Sequence, residues 1–409
     1  MLSKIILLLP QNKQVMKYPS LILKKGKSDA VSRFHPWVFS GAIHSDTSNI
    51  KDGEVTDILS ASREFIARGH FQSGGSIAVR ILTFKDEPID AAFWTFCIQK
   101  AVDYRKVIQL PSSTTNAYRL IHGEGDGLPG LIIDIYNNIC VIQCHTIGMN
   151  REVTNISNAI RQVMQDSIDT IYIRAKDTLP KSFATDIQDG FIIGDTASTF
   201  IKEHNVLFNT DVITGQKTGF FLDQRENRKL LAQYSKGKSV LNCFCYTGGF
   251  SLYALIGGAN QVDSVDISQK AVDLMLQNAD LNTFEGIHTG TCADVMDYLS
   301  DKSLPEYDIV IVDPPAFAKS LHKRHNAVQA YKRLNILAMN KVKSGGLLFT
   351  FSCSQVVSTQ LFYDTIVAAG IESGKRIKVM QSLSQGPDHP VNLYHPEGHY
   401  LKGLLLYIE

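Results

Sequence analysis

The feature that most constrains the fold is a regular alternation of strand-like and helix-like segments from about residue 211 onward. Short apolar runs, rich in β-branched residues, predict strands, and helical periodicity predicts the segments between them. The predicted strands are 239–244, 261–266, 287–291, 308–312 and 347–351. The predicted helices are 250–256, 269–282 and 326–342. This alternation is typical of a mostly parallel, doubly wound Rossmann-like sheet, whose ligands lie at the carboxyl ends of its strands.

The chain of 409 residues is too long for one ordinary core, so we expect further domains before this one. Residues 17–96 predict a small β-rich domain, with strand-like runs at 18–23, 54–58 and 77–82 between turn residues. Residues 97–210 predict a central α/β domain. Its expected elements are a helix at 92–110, a hairpin of 131–136 with 139–145, a helix at 150–165, and strands at 170–174 and 190–194. Residues 211–409 form the third predicted domain.

Composition excludes several classes of protein. Hydrophobic residues make up 44% and charged residues 20% of the chain, as in globular proteins. Seven scattered cysteines do not suit a disulfide-dense secreted scaffold, and no apolar run is long enough for a membrane span. The apolar stretch 5–9 lacks the flanks of a signal peptide. We therefore expect a cytoplasmic protein without a membrane partner, with residues 1–16 as an unstructured leader and Met16 as a candidate natural start.

Two glycine motifs need to be distinguished. Residues 125–130 match G-x-G-x-x-G, but this match contains Pro129 and precedes a predicted strand, whereas a dinucleotide site needs the motif between a strand and a helix. We interpret it as a turn. The better cofactor loop is 240–250, where a buried strand leads through Gly248 and Gly249 into a helix. A glycine pair without G-x-G-x-x-G suits a ligand without pyrophosphate, such as S-adenosylmethionine.

Two acids extend the predicted cofactor site. Asp266 ends the next strand, where a carboxylate can hold both ribose hydroxyls, and Asp294 follows the third strand, where it can meet the adenine amino group. A strand, a glycine turn and a later acid are common among nucleotide-binding folds. An acid that caps a helix is the alternative interpretation of Asp266.

The fourth predicted strand ends in Asp313, followed by Pro314 and Pro315. Prolines directly after a central strand cannot continue the hydrogen-bonded ladder and form a rigid loop. Such a loop can hold Asp313 against the edge of a planar base, with Phe317 as an apolar or stacking surface. Methyltransferases that act on amino groups often carry an aromatic residue after two prolines, whereas this chain has Ala316.

The fifth predicted strand ends at Cys353, which should therefore lie at the same sheet edge as the glycine loop and Asp313. Carbon 5 of cytosine becomes nucleophilic when a thiolate adds to carbon 6, and covalent catalysis by cysteine needs that thiolate. Cys353 and Asp313 are thus the candidate catalytic residues. A buried structural cysteine is the alternative interpretation of Cys353.

Charge is unevenly distributed although the net charge is only +1. No acid occurs between Asp313 and Asp364, a stretch with seven Lys and Arg residues, and the N-terminal region is also basic. Clustered basic residues favour a polyanionic substrate, although solvated basic surfaces would give the same pattern. The candidate RNA-binding residues are Lys24, Lys25, Arg33, Phe317, Lys319, Lys323 and Arg324.

No metal site is predicted. Cys243 and Cys245 form a C-x-C without a matching second pair, which does not suit zinc. His389, His395 and His399 lack the H-E-x-x-H spacing of metalloproteases.

Several motifs together resemble the ribosomal RNA large subunit methyltransferase I family. They are spread over nearly the whole chain: 35–41 (HPWVFSG), 123–131, 217–225 (KTGFFLDQR), 241–250, 313–319 (DPPAFAK), 350–354 (TFSCS), 388–390 (DHP) and 396–403 (PEGHYLKG). The combination is far more specific than any one motif.

The resemblance implies a PUA RNA-binding domain, a central α/β domain and a Rossmann-like methyltransferase domain. It also implies S-adenosylmethionine as the cofactor, and 5-methylcytosine in large-subunit rRNA as the product. Cys353 would be the nucleophile and Asp313 the base-orienting acid. The predicted donor pocket comprises Phe220, Asp223, Asn242, Phe244, Cys245, Tyr246, Thr247, Gly248, Gly249, Asp266, Asp294 and Pro314.

The chain departs from the wider RNA cytosine-5 methyltransferases, which commonly carry a second cysteine where this chain has Ala316. The group that assists elimination, Lys319 or a water, therefore stays open. Two alternative functions also stay open: methylation of another base atom on RNA, and a catalytically inactive RNA-binding assembly factor. The expected partner is unfolded or partly assembled rRNA, because a paired cytosine must first be flipped out of its helix. A homodimer stays open.

Overall fold

The computed structural model describes residues 17–318 and 320–409. The predicted leader 1–16 and Lys319 lie outside the described residues. Within the described part of the chain, no helix is long and apolar enough to cross a membrane.

The N-terminal part of the chain forms a five-stranded sheet of order β1-β3-β4-β5-β2. Its strands are β1 (Ser20–Ile22), β2 (Trp37–Phe39), β3 (Val55–Leu59), β4 (Phe65–Phe71) and β5 (Ile77–Thr83), and helix α1 (Asp29–Ser32) precedes β2. Residues alternate along β3 between buried and half-buried positions, as expected for a strand with one face on a core. That core includes Leu21, Val38, Ile58 and Val79.

The central part forms a second five-stranded sheet, of order β10-β9-β8-β7-β6. Its strands are β6 (Ala117–His122), β7 (Leu131–Tyr136), β8 (Ile139–Cys144), β9 (Thr170–Arg174) and β10 (Gly190–Ile193). Its helices are α2 (Ala91–Val107), α3 (Ile147–Arg151), α4 (Val153–Met164) and α5 (Lys181–Ala184). The predicted hairpin around residues 137 and 138 is present as β7 and β8, which pair antiparallel. A separate antiparallel pair, β11 (Ser198–Glu203) and β12 (Val206–Asp211), follows.

The C-terminal part forms a seven-stranded sheet of order β15-β14-β13-β16-β17-β19-β18. Its strands are β13 (Ser239–Cys243), β14 (Gln261–Asp266), β15 (Ile287–Cys292), β16 (Tyr307–Val312), β17 (Val342–Ser352), β18 (Ile377–Leu383) and β19 (Lys402–Ile408). Its helices are α6 (Arg225–Tyr234), α7 (Gly249–Ile256), α8 (Gln269–Asp280), α9 (Val295–Ser300), α10 (Arg324–Asn340) and α11 (Thr359–Ser373). Strands β13 to β17 pair in parallel, which confirms the predicted doubly wound fold.

Two features of this sheet go beyond the sequence prediction. β19 inserts antiparallel between β17 and β18, so the edge of the sheet is not parallel. β17 also begins at Val342, which pairs with Tyr307, rather than at residue 347. Residues 343–346 are polar or glycine and therefore lack the apolar pattern that predicts a buried strand. Strongly apolar runs predict strands from the sequence, whereas strand pairing that depends on tertiary contacts leaves no local pattern.

The central strands of this sheet are buried on both faces. In β16 the residues from Ile309 to Val312 are all almost inaccessible, which explains why the strand is continuously apolar rather than alternating. One apolar cluster joins this sheet to the central sheet and includes Tyr136, Val141, Val240 and Phe250.

The rejected G-x-G-x-x-G segment lies in a 3-10 helix and a turn before β7, as its sequence context predicts. Gly125 of this segment makes a close contact with the protein backbone at Pro390 and not with a ligand site. A Cβ atom at Gly125 would lie 1.9 Å from the carbonyl oxygen of Pro390. The absence of a side chain therefore lets the C-terminal segment approach the central part of the chain.

Candidate active site

The glycine loop joins the end of β13 to the start of α7. Gly248 has a φ of +86°, and the preceding Phe244 and Tyr246 have φ values of 59° and 46°. Positive φ at bulky residues is strained and occurs preferentially at functional sites. The strained backbone makes a compact turn beside the ends of neighbouring strands.

Asp266, at the end of β14, stabilises this turn. Its Oδ2 accepts a hydrogen bond of 3.0 Å from the backbone N–H of Tyr246, and its Oδ1 accepts one of 2.9 Å from that of Ser268. The N-cap of α8 is Ser268, whose side chain accepts from Ala271 N–H. Asp266 therefore joins two loops at the cavity and is not itself the helix cap.

Asp313 directly follows β16 and is half-buried. Its Oδ2 accepts a hydrogen bond of 3.0 Å from Nε2 of Gln224. Burial, reinforced by the charge of Asp223, raises the pKa of Asp313 to about 7. The carboxyl group is thus poised to exist in both protonation states near neutral pH.

Cys353 lies one residue beyond β17 and is half-buried. Burial raises the pKa of its thiol to about 11, with contributions from the charges of Asp313 and Asp223. The Lys217 charge opposes this shift. The thiol is therefore mainly protonated at neutral pH and needs stabilisation to react as a thiolate.

These groups line one cavity of ≈ 270 Å³ at the carboxyl edge of the sheet. Eleven of the predicted catalytic and cofactor-binding residues line it: Phe220, Asp223, Phe244, Cys245, Tyr246, Thr247, Gly249, Asp266, Asp313, Pro314 and Cys353. The fold thus brings together segments that lie far apart in the sequence.

Three predicted donor-pocket residues do not line this cavity. Asn242 is buried behind it, where its Nδ2 donates a hydrogen bond of 2.8 Å to Ser251 Oγ. Gly248 forms the turn itself. Asp294 is exposed and caps α9 by accepting hydrogen bonds from two backbone N–H groups. Its predicted contact with adenine stays a prediction.

Unsatisfied polar atoms show that the cavity suits a polar ligand. Thr247 Oγ1 and Asp223 Oδ1 are buried and have no hydrogen-bond partner among the described residues. The other oxygen of Asp223 accepts a hydrogen bond of 2.6 Å from the Tyr400 hydroxyl. Buried polar atoms normally have partners, so these two are free to bind a ligand with hydroxyl or amino groups. S-adenosylmethionine carries both kinds of group.

The predicted RNA-binding residues are dispersed. Those with basic side chains in the described part, Lys24, Lys25, Arg33, Lys323 and Arg324, are exposed. Phe317, predicted to be an apolar or stacking surface, is half-buried, and its ring lies 4.6 Å from that of Tyr331. Lys319 lies outside the described residues.

The basic stretch after Asp313 is less concentrated at the site than its sequence indicates. Lys341 is buried and donates to two backbone carbonyls, Lys343 pairs with Asp308, and Lys332 pairs with Glu372. These three lysines have partners within the domain, so they leave less free positive charge for a substrate than the sequence indicates.

Sequence reasoning assigned no role to several residues at the site. Gln224 binds Asp313, and Leu401 and Arg228 line the cavity. Lys402 places its ammonium group 2.7 Å from the carbonyl oxygen of Ser354, next to Cys353. Gln224 and Lys402 both belong to segments quoted for the family resemblance, which was the available signal. Within the described residues, no group of three or more His, Cys, Asp or Glu side chains could hold a metal ion.

The sheet order, the glycine turn after β13 and the acid at the end of β14 define an S-adenosylmethionine-dependent methyltransferase. A family model described as S-adenosylmethionine-dependent methyltransferase matches residues 118–391, and one described as PUA-like domain matches residues 21–84. Because two relatives named ribosomal RNA large subunit methyltransferase I are 37% and 38% identical over nearly its whole length, the chain belongs to that family. These matches confirm the predicted fold and cofactor.

Two relatives align with nearly the whole chain. A ribosomal RNA large subunit methyltransferase I from Aeromonas hydrophila is 37% identical over 394 residues, which cover 95% of this chain and 98% of the relative. One from Vibrio vulnificus is 38% identical over 392 residues, which cover 94% and 98%.

Solved structures show the same fold. A structure described as a SAM-dependent methyltransferase from Streptococcus mutans superposes with a TM-score of 0.81 at 23% identity, over 95% of this chain and all of the other. A methyltransferase solved in complex with SAH gives a TM-score of 0.82 at 23% identity, with the same coverage.

Proposed function

We propose that this enzyme methylates carbon 5 of a cytosine in large-subunit rRNA and that Cys353 is its covalent nucleophile. The observation that carries the proposal is that Cys353, Asp313 and the glycine loop line one cavity. A nucleophile, an acid and a methyl-donor site must lie together for this reaction. A Cys353 buried behind the sheet could not reach a base bound in this cavity, and the covalent mechanism would then be impossible.

The RNA substrate is proposed on two grounds. The relatives are named as methyltransferases of large-subunit rRNA, and the PUA-like match at residues 21–84 covers the N-terminal sheet. We propose the division of the chain into domains at 17–96, 97–210 and 211–409, with the first and last contacting RNA. The favoured substrate is unfolded or partly assembled rRNA, since an unpaired base enters the site without being flipped out of a helix. Faster methylation of assembled ribosomes than of naked rRNA would contradict this preference.

The donor would be held by groups already in the cavity. The Asp266 carboxylate and the free oxygens of Asp223 and Thr247 are suited to bind its hydroxyl and amino groups. When bound, S-adenosylmethionine supplies an electrophilic methyl group. The residues of the chain then need to make carbon 5 nucleophilic and to keep the base in place.

Cys353 makes carbon 5 nucleophilic. Its thiolate forms a bond to carbon 6, and the electrons of the carbon 5–carbon 6 double bond move onto carbon 5. Carbon 5 then bonds to the methyl carbon, whose former bond to sulfur breaks with the electron pair left on that sulfur. Loss of the carbon 5 proton to solvent re-forms the double bond, and the Cys353 sulfur leaves as a thiolate.

Asp313 would orient the base and supply a proton. With a pKa of about 7, its carboxyl group is partly protonated at neutral pH and can donate a hydrogen bond to ring nitrogen 3 of cytosine. A proton there withdraws electrons from carbon 6 and promotes thiolate addition. Gln224, which donates to Oδ2 of Asp313, would keep that carboxyl group oriented.

The nucleophile is tested by Cys353→Ala, with Cys292→Ala as the matched control because Cys292 is an exposed free cysteine outside the cavity lining. Cys353→Ala should reduce methylation by at least about 10³-fold while retaining binding of S-adenosylmethionine, because the covalent step is lost. Cys292→Ala should keep wild-type turnover. RNA containing 5-fluorocytosine should trap an adduct with the wild-type enzyme and not with Cys353→Ala, because fluorine at carbon 5 cannot be lost as a proton.

The same experiments separate the alternatives. Full turnover by Cys353→Ala, without an adduct in the wild type, would show methylation of another base atom. Failure of the wild type to bind S-adenosylmethionine by calorimetry would favour an inactive assembly factor. Mass mapping of rRNA modifications with and without the protein identifies the product and its position.

A further inference from the structure

Lys402 occupies an unusual position beside the nucleophile. It begins β19, whose antiparallel pairing with β17 places Lys402 opposite Ser352. The residue is only 3% exposed, and its Nζ donates a hydrogen bond of 2.7 Å to the carbonyl oxygen of Ser354. The backbone of Lys402 therefore pairs with the residue before Cys353, and its ammonium group binds the carbonyl of the residue after it.

The charge of Lys402 is not neutralised by a carboxylate. Its ammonium group donates a hydrogen bond to a neutral carbonyl, and no carboxylate of the described residues contributes to its electrostatic environment. Burying an ammonium group without a counterion costs several kcal/mol, as a rule. In contrast, the buried Arg225 and Arg228 both pair with carboxylates. If Cys353 loses its proton, its thiolate can act as the counterion that the buried Lys402 ammonium group lacks.

We propose that Lys402 is a positioning residue for Cys353: its ammonium group stabilises the thiolate that attacks the base. This inference rests on the proposed function, since it assigns Lys402 a role only if Cys353 is the nucleophile. Lys402 would then be the cation that the thiolate needs.

The other charged groups around the thiol explain why such a cation is required. Four further titratable groups interact with Cys353: Asp313, Asp223, Lys217 and Tyr331. The two carboxylates raise the pKa of the thiol, and Lys217 lowers it. Burial lowers the pKa of Lys402 to about 8, and Cys353 opposes this shift. Lys402 is therefore still charged at neutral pH, when the thiolate must form.

The test is the pH dependence of Cys353 alkylation by iodoacetamide in the full-length protein, followed by mass spectrometry of the peptide that contains Cys353. Lys402→Met and Lys402→Gln remove the charge, and Lys402→Arg keeps it. Lys341→Met is the matched control, because Lys341 is also a buried lysine that donates to backbone carbonyls.

An opposite charge nearby shifts a pKa by about 1–3 units, so Lys402→Met and Lys402→Gln should slow alkylation at pH 7.5 by about tenfold or more. The apparent pKa of the thiol should rise accordingly. Lys402→Arg should restore alkylation to within about threefold of wild type, given that it retains the opposite charge. Lys341→Met should leave the pH profile unchanged. The rate of methylation should fall in parallel with alkylation, whereas binding of S-adenosylmethionine should not change, since Lys402 does not line the donor cavity.

An unchanged pH profile in a folded Lys402→Gln or Lys402→Met variant would overturn the inference. Folding is checked by thermal unfolding and by binding of S-adenosylmethionine. If the neutral variants do not fold, an alkylation profile of Lys402→Arg displaced by more than one pH unit would also overturn it. Full activity of Cys353→Ala would instead overturn the proposed function, so the two failures are distinguishable.

Discussion

At the scale of single residues, the cavity raises the pKa values of both groups proposed for chemistry. The pKa of Asp313 is raised to about 7 and that of Cys353 to about 11, in both cases mainly by burial. The charge of Asp223 adds to the rise for Asp313, and the charges of Asp313 and Asp223 add to the rise for Cys353. The arrangement keeps a proton available on Asp313 and makes the thiolate scarce but reactive.

The first residue-scale prediction concerns pH. Thiolate formation should make the rate of methylation rise about tenfold per pH unit, while deprotonation of Asp313 above its pKa of about 7 should cancel the rise. The wild-type rate should therefore rise up to pH 7 and level off between pH 7 and 8. The measurement is kcat/KM with unfolded rRNA between pH 5.5 and 8.

Asp313→Asn provides the comparison. Without the titrating carboxyl group, the rate of the variant should be lower but should keep rising through pH 8. Its Cys353 thiol should have a lower pKa than in the wild type, because a carboxylate that raises it is gone. Iodoacetamide should therefore alkylate Cys353 faster in the variant. A profile for Asp313→Asn that levels off at pH 7 would show that Asp313 is not the group responsible.

At the scale of secondary-structure elements, the site depends on turns at the carboxyl ends of β13, β14, β16 and β17. The turn after β13 has positive φ at Phe244, Tyr246 and Gly248. Three bonds stabilise its conformation: Tyr246 N–H to Asp266, Cys245 N–H to the Val265 carbonyl and Asn278 Nδ2 to the Thr247 carbonyl. The donor site is thus preorganised by β14 and α8.

This geometry predicts the effect of Gly248→Ala. An alanine at a φ of +86° costs about 1–2 kcal/mol, and its Cβ would lie 2.5 Å from Cγ of Met275, where overpacking adds about 1–3 kcal/mol. The variant should lose stability by the sum of these terms and bind S-adenosylmethionine more weakly, because the turn must shift. Denaturant unfolding and calorimetry measure the two effects.

Gly258→Ala is the matched control. Gly258 has a φ of +87°, but its Cβ would meet only Lys236, at 3.5 Å, an ordinary contact. This variant should lose about 1–2 kcal/mol of stability and keep wild-type affinity for S-adenosylmethionine. Equal affinities for the two variants would contradict the role assigned to the turn.

At the scale of the whole molecule, the C-terminal segment before β19 joins the central and C-terminal parts. Asp388 is fully buried; its carboxylate accepts two hydrogen bonds from Arg225, of 3.0 and 2.8 Å, and one from Arg119 N–H. Its carbonyl accepts from Arg105. Further along, Trp37 of the N-terminal sheet donates to Glu124 and packs on His395. One segment therefore contacts all three parts of the chain.

Removing the charge of Asp388 should destabilise the whole protein. Asp388→Asn removes the buried partner of Arg225 and leaves its guanidinium group with only the partly exposed Glu226, and breaking a buried ion pair costs about 3–5 kcal/mol. Asp308→Asn is the control, because the Asp308–Lys343 pair is partly exposed and should contribute about 1 kcal/mol or less. Urea unfolding at pH 7 measures both. A loss below about 1 kcal/mol for Asp388→Asn would show that the segment is not held by this pair.

The pH dependence of that stability has a definite sign. Although burial opposes ionisation, His389 and Arg225 hold the pKa of Asp388 well below its usual range. A lowered pKa in the folded state contributes stability above the unfolded value of about 3.9, and this is lost as the pH falls through the folded value. The stability difference between wild type and Asp388→Asn should therefore shrink as the pH falls below about 4.

Local sequence patterns predict the doubly wound sheet and the strand ends that carry Asp266, Asp313 and Cys353. These follow from local patterns, because a buried strand is apolar along its length and its terminating residues are neighbours in the chain. Each family motif likewise consists of residues that are neighbours in the chain, so the motifs could identify the cofactor.

Which distant groups share the cavity depends on how the elements pack in three dimensions. Lys402 binds the Ser354 carbonyl beside Cys353 because β19 inserts beside β17, and Gln224 reaches Asp313 because α6 packs there. The same packing uses Lys341 and Lys343 for structural contacts. A charge in the sequence does not specify its partner, since that partner is chosen by the packing of elements far apart in the chain.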